Sequence, residues 1–212
     1  MATTGLQVFA IILSLLALIG ATVVTVLPNW KVNTFEGSNI ISSTIHMQGL
    51  WTNCTWTSTG LFSCKYSLSI LAQPAYIRAA RTMMVLSCIV SILGIGFALP
   101  GMKCTRWIRD QQTKSCAAIT GGASFIIAGT MCLVPVSCFT AGLISQYFKP
   151  STPEANKYEI GGAIYAGFIS AGGSLIAGII FCSSCNKDLQ QGMSRSYKSR
   201  QPSGPKEGQN YV

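Results

Sequence analysis

Polar and apolar positions are segregated along this chain into long blocks. Uninterrupted apolar runs cover roughly residues 6–27, 82–99 with a few flanking positions, 116–139 and 161–182, and none of them contains Asp, Glu, Lys, Arg or His. About 20 helical residues cross the hydrocarbon core of a bilayer, so this block pattern predicts four transmembrane helices. Between the first and second runs the pattern changes period. Residues 30–35 and 39–46 mix β-branched with polar residues as strands do, Gly37-Ser38 makes a turn between them, and Gly60 precedes a short strand over 61–66. Pro74 marks the start of a helix that carries Arg78 and Arg81. The fold class expected is therefore an α+β membrane protein, a four-helix transmembrane bundle with a small extracellular antiparallel β-sheet.

Composition agrees with the pattern. Of the 212 residues 49% are hydrophobic and only 10% are charged, against about a quarter charged in soluble domains. A cleaved signal peptide is the alternative for the first run, with Ala17 and Ala21 as small residues near a cut. Against it, no Lys or Arg precedes the run, and the run exceeds the usual apolar core of such a peptide.

Charge sets the orientation. The segment 103–115 holds Lys103, Arg106, Arg109 and Lys114 against Asp110, and the tail holds Lys187, Arg195, Lys198, Arg200 and Lys206 against Asp188 and Glu207. Basic residues beside spans stay in the cytoplasm, which places both termini inside and leaves outer loops of about 28–81 and 140–160. The net charge of +9 is then read as attraction to anionic inner-leaflet lipid rather than to nucleic acid. Residues 1–185 form the four-span domain. Residues 186–212, rich in Ser, Gly, Gln, Lys and Pro, are expected to be a disordered cytoplasmic tail. In the fourth span Gly162, Ala166, Ser170, Ser174 and Gly178 make a stripe of small residues, read as packing within the bundle rather than self-association.

Candidate chemistry is sparse. Cys54 and Cys64 are the cysteines of the outer loops, apart from Cys138 at a span's edge, and on the oxidising side of a membrane they are expected to form a disulfide. Neither their spacing nor the lone His46 suggests zinc, and no metal or cofactor is expected. With a single His and no carboxylate inside a span, no nucleophile–base pair is available, so an enzyme is not expected. Asn53-Cys54-Thr55 fits a glycosylation sequon, but a bonded cysteine in its middle argues against occupancy. Cys104, Cys182 and Cys185 at cytoplasmic span ends are candidates for palmitoylation. Tyr211-Val212 closes the chain as in ligands that add a strand to a PDZ groove.

Trp30, then Gly49-Leu50-Trp51, then Cys54 and Cys64 after nine intervening residues, all in the loop behind the first span, resemble the signature of the claudins, the four-span proteins of tight junctions. Arg81, in Ala79-Ala80-Arg81, matches a basic position of that family. Tyr147, Phe148 and Pro150 are similar to its aromatic pair before proline, in reversed order, and Lys157 and Glu159 also match. Two departures are Tyr158, where many members have Arg, and Cys138, where the family normally has Trp after Val136-Ser137.

The resemblance implies a left-handed helix bundle under a sheet of about five strands, one supplied by the second outer loop. It implies that Trp30 and residues 49–51 anchor sheet to bundle, and that claudins partner in cis and in trans while PDZ scaffolds bind the tail. It further implies a strand-forming adhesion protein that sets the paracellular barrier. Lys65, directly after Cys64, stands where the family's charge tunes ion choice, so cations are expected to be disfavoured. Lys31, Lys65 and Arg78 against Glu36 give this loop a positive balance. In Lys149-Pro150-Ser151-Thr152 the Asn-Pro-Leu-like stretch that binds clostridial enterotoxin in some members is altered, so weak or no toxin binding is expected. An auxiliary subunit of an ion channel is the alternative function.

Overall fold

The computed structural model describes the backbone of residues 2–36, 43–67, 74–102, 111–148 and 158–200, and the side chains of 5–33, 44–67, 74–102, 113–148 and 158–184. Within them the chain forms α1 (Ala2–Val26), β1 (Lys31–Glu36), β2 (Ser43–Gln48), β3 (Thr52–Thr57), β4 (Phe62–Tyr66), α2 (Ala75–Gly101), α3 (Gln111–Tyr147), β5 (Glu159–Ile160) and α4 (Gly162–Arg200). All four helices are long and apolar enough to cross a membrane.

The helices close into a ring in which α2 packs on α3, α3 on α4, α4 on α1 and, most lightly, α1 on α2. Their outer faces remain apolar, with Leu16, Ile19, Ile92 and Ile169 all exposed, as lipid-facing positions must be. Lipid removes the hydrophobic incentive to associate, so the inward faces rely on small residues and on hydroxyls that bond across helices. Ser170 Oγ donates to the Ala17 carbonyl at 2.6 Å, Ser174 Oγ to that of Phe125 at 3.0 Å, and Ser87 Oγ to that of Ala128 at 2.8 Å. A Cβ on Gly178 would lie 2.8 Å from the Gly122 carbonyl oxygen. Ser170, Ser174 and Gly178 thus turn toward α1 and α3, as the packing reading expects.

Two apolar clusters fill the interior. One, at the sheet end, gathers Val24, Trp30, Leu50, Met84, Val136 and Phe139. The other, at the far end, includes Ala10, Ala98, Ala118, Phe125 and Phe181.

The sheet has five strands in the order β4-β3-β2-β1-β5, each neighbouring pair antiparallel. It stands on the end of the bundle where α1 and α3 finish and α2 and α4 begin. Between β3 and β4 the chain turns at Gly60, which takes a φ of 81°, a value side chains rarely tolerate.

Three boundaries differ from the sequence expectation. Strand β3, Thr52–Thr57, was not delimited by the alternation pattern, although it supplies the centre of the β2-β3-β4 meander. Helix α3 continues to Tyr147, eight residues into the stretch assigned to the second outer loop. The reason is that Phe139 and Leu143, four apart, both bury against the bundle and keep the helical face in register. Helix α4 runs to Arg200, so residues 186–200 are helical rather than a disordered tail. That stretch holds Lys, Asp, Leu and Gln residues and no proline, which lets the fourth span propagate.

Candidate functional site

The tryptophan–glycine–leucine–tryptophan residues meet in one joint between sheet and bundle. Trp30 leaves α1 just before β1, is fully buried, and donates its indole N–H to the Val24 carbonyl at 2.9 Å. Its ring meets Phe139 of α3 edge-on at 5.2 Å between centroids. Gly49 follows β2 at a point where the chain crosses back over the end of α1. A Cβ there would sit 2.5 Å from Pro28 Cα and 2.7 Å from the Leu27 carbonyl oxygen, so only glycine fits. Leu50 is buried beside Trp30.

Arg81, in the second turn of α2, is itself buried. It donates from Nε to the Leu50 carbonyl at 2.6 Å and from a terminal nitrogen to that of Ser67 at 3.3 Å. Its guanidinium lies 4.9 Å from the Trp51 ring centroid, a cation–π contact that leaves Trp51 partly exposed. One arginine therefore ties both ends of the β3-β4 hairpin to the second helix.

Two participants in this joint escaped the sequence reading. Gly161 approaches the backbone of Asn29 and Trp30 so closely that a Cβ would collide with the Asn29 carbonyl, and its N–H donates to the Trp30 carbonyl at 3.1 Å. Lys31 turns inward. It is 7% exposed, its Nζ donates to the Tyr76 hydroxyl at 3.4 Å, and it lies 5.0 to 5.7 Å from the ring centres of Phe139, Tyr76 and Tyr158. This corrects the charge count of the first loop. Lys31 is enclosed by aromatic rings and does not line the outer surface, which leaves Lys65 and Arg78 as the exposed cations of that count.

The opposite edge of the sheet is built differently. Every residue of β4 is exposed. Cys54 on β3 and Cys64 on β4 face each other in register and are joined in a disulfide. Lys65 follows on β4, opposite Asn53. Trp56 and Phe62 stack edge to face at 6.1 Å on that surface, both half or more exposed. His46 is an exposed strand residue beside the Thr55 hydroxyl.

At the end of α3, Tyr147 and Phe148 stand perpendicular at 5.8 Å, Phe148 77% exposed. Strand β5, from the second connecting segment, pairs with β1. Cys138 is exposed on α3 beside a cavity. Cys182 is half-buried near the far end of α4. Pro150, Cys104, Tyr211, Val212, the toxin-like stretch and the Cys185 side chain lie outside the described residues. Among the described residues no group of three metal-ligating side chains converges.

The residues of the joint and the sheet lie in a stretch of sequence shared with a known family. The sequence profile of the PMP-22/EMP/MP20/Claudin family matches residues 4–181. The chain belongs to that family. Among its relatives it is 40% identical to Claudin-14 of Mus musculus over 188 residues, 89% of this chain and 79% of that one. It is 38% identical to Claudin-2 of Homo sapiens over 213 residues, 99% and 93% of the two chains. It is 36% identical to Claudin-4 of Canis lupus familiaris over 212 residues, the whole of both. The fold is accordingly the claudin fold, and the chain is a multi-pass membrane protein of the tight junction, a structural protein and not an enzyme. Claudin–claudin association follows from that membership. The relatives lend no support to the channel-subunit alternative.

Proposed function

We propose that this claudin builds tight-junction strands in cis and trans and that its first outer loop disfavours cations in the space between cells. The observation that carries the reading is Lys65, exposed on the outermost strand directly beside the disulfide. A fixed charge acts over a Debye length of about 8 Å at physiological salt, comparable to the radius of a narrow aqueous path. The ammonium of Lys65 would raise the cost of cation passage there and lower that of anions. With Lys31 enclosed, Lys65 carries more of the effect than a count of loop charges would suggest.

In this reading residues 28–81 and 140–160 face outward and both termini are cytoplasmic. Trp30, Gly49, Leu50, Trp51 and Arg81 hold the sheet in position for assembly, and Tyr147, Phe148 and Pro150 contribute contacts between neighbouring copies. Cys104, Cys182 and Cys185 are acylation sites at the inner leaflet. Tyr211 and Val212 recruit PDZ scaffolds, so deleting both should abolish scaffold pull-down while leaving membrane insertion intact.

The decisive experiment is a dilution-potential measurement across a tight epithelial monolayer expressing the chain. Lys65→Asp should shift the potential toward sodium over chloride. An unchanged ratio in a mutant that reaches cell contacts normally would remove Lys65 from the ion path.

A further inference from the structure

A cavity of about 440 Å³ opens between the sheet-side ends of α2 and α3, within the size range of ligand pockets. Its walls are apolar, formed by Met83 of α2 and by Val134, Pro135, Cys138 and Leu143 of α3. At its sheet end stand Lys31 and Tyr76. From Tyr76 down to Met83 the slot follows α2 for about 10 Å at 1.5 Å per residue.

The chemistry of that end is unusual for an apolar slot. A cation that is 93% withdrawn from solvent normally pairs with an anion, because desolvating an unpaired ammonium is costly. Lys31 forms no ion pair among the described residues. The aromatic faces of Phe139, Tyr76 and Tyr158 stabilise its charge from the sides but supply no acceptor of full charge. Of its three N–H donors, one goes to the Tyr76 hydroxyl oxygen. That leaves two ammonium donors and the hydroxyl proton of Tyr76 at the cavity's mouth.

We propose that this cavity binds a long-chain fatty acid, its carboxylate held by Lys31 Nζ and the Tyr76 hydroxyl and its acyl chain lying along α2 and α3 past Cys138. A single buried cation complements a single negative charge, and two adjacent donors match the two oxygens of a carboxylate. One slot between two helices takes one chain rather than the pair of a phospholipid. The site stands apart from the exposed strand that carries Lys65, so it does not depend on the proposed ion selectivity.

Cys138 borders the cavity and serves as a reporter in the unaltered protein. The full chain, one copy per phosphatidylcholine nanodisc, is treated with N-ethylmaleimide, and alkylation is followed peptide by peptide in a mass spectrometer. Palmitate should slow alkylation of Cys138 at least fivefold and leave Cys116, exposed on the same helix, unaffected. Hexadecanol, with the same chain and no charge, should slow it less than twofold. Equal protection by the alcohol would overturn the carboxylate assignment, and no protection by either would overturn the site. Protection without palmitate in discs holding two copies but not one would assign the cavity to a second copy and overturn the proposal as well.

A photoactivatable palmitate supplies the second measurement. Its crosslinking to the peptide carrying Val134 should be abolished by Cys138→Trp, which fills the slot, and reduced at least tenfold by Lys31→Met. Lys31→Arg, which keeps the charge, should restore most of it. Labelling that survives Lys31→Met in a correctly delivered protein would show that charge is not recognised.

Discussion

The two edges of the sheet contrast in construction. On the β1–β5 side the chain is fastened to the bundle by buried bonds: the Trp30 indole N–H donates to the Val24 carbonyl and the Gly161 N–H to the Trp30 carbonyl. At the β4 edge all five residues are exposed, and the strand is tied inward by one ladder, one disulfide and, just past its end, the Arg81 bond to the Ser67 carbonyl. The recognisable residues of the chain therefore lie mostly where the sheet is fastened. The surface free to meet another molecule is made of Phe62, Lys65 and Tyr66, whose identities matter little to folding. Substitutions at the joint, and loss of the disulfide, should be read in stability, and those of the exposed β4 side chains Phe62, Lys65 and Tyr66 in selectivity and assembly.

The sharpest test of that division is Trp30→Ala. Removing a fully buried tryptophan and its indole hydrogen bond should cost about 3–5 kcal/mol, enough to abolish delivery to the cell surface or lower the thermal midpoint of the detergent-purified protein. A mutant with wild-type stability would mean that the joint is not what holds the sheet. Replacing Cys54 and Cys64 together by Ser comes next, at about 2–4 kcal/mol, measured as loss of thermal stability that a reducing agent does not deepen. Gly49→Ala should follow, at about 1–3 kcal/mol, because the added methyl meets backbone that cannot move aside. At the other edge Phe62→Thr and Lys65→Asp should both leave the midpoint nearly unchanged, since exposed substitutions usually stay within about 0.5 kcal/mol. A large loss of stability at Lys65 would erase the contrast.

Much of the bundle was legible because run length and the absence of charge are local properties. The four spans, the helix start at Pro74 and the cysteine pair needed nothing beyond the neighbouring sequence. What escaped depends on contacts between residues distant in sequence. Gly161 looks like a span-boundary glycine until Asn29 is placed against it. Lys31 reads as a loop cation until aromatic rings from α2, α3 and the segment before β5 close around it. Thr140, Gly142, Ser145 and Gln146 suggest a loop by composition, yet Phe139 and Leu143 hold them in a helix. Residues 186 to 200 read as a tail for a related reason, since polar composition does not stop a helix that already has a long apolar span to grow from.

The cross-strand disulfide also has a mechanical meaning. A pull applied at the outermost strand would ordinarily peel β4 from β3 one hydrogen-bonded pair at a time, the direction in which a hairpin is weakest. Cys54 and Cys64 sit at the middle pair of that ladder, so peeling halts halfway and the load passes to β3 and then to β2. From there it crosses to β1 and reaches the bundle through Trp30, while Arg81 carries part of it directly from the two ends of the β3-β4 hairpin to α2. Once peeling has stopped at the disulfide, the next element to yield under tension would be the ladder between β2 and β3, which no disulfide crosses.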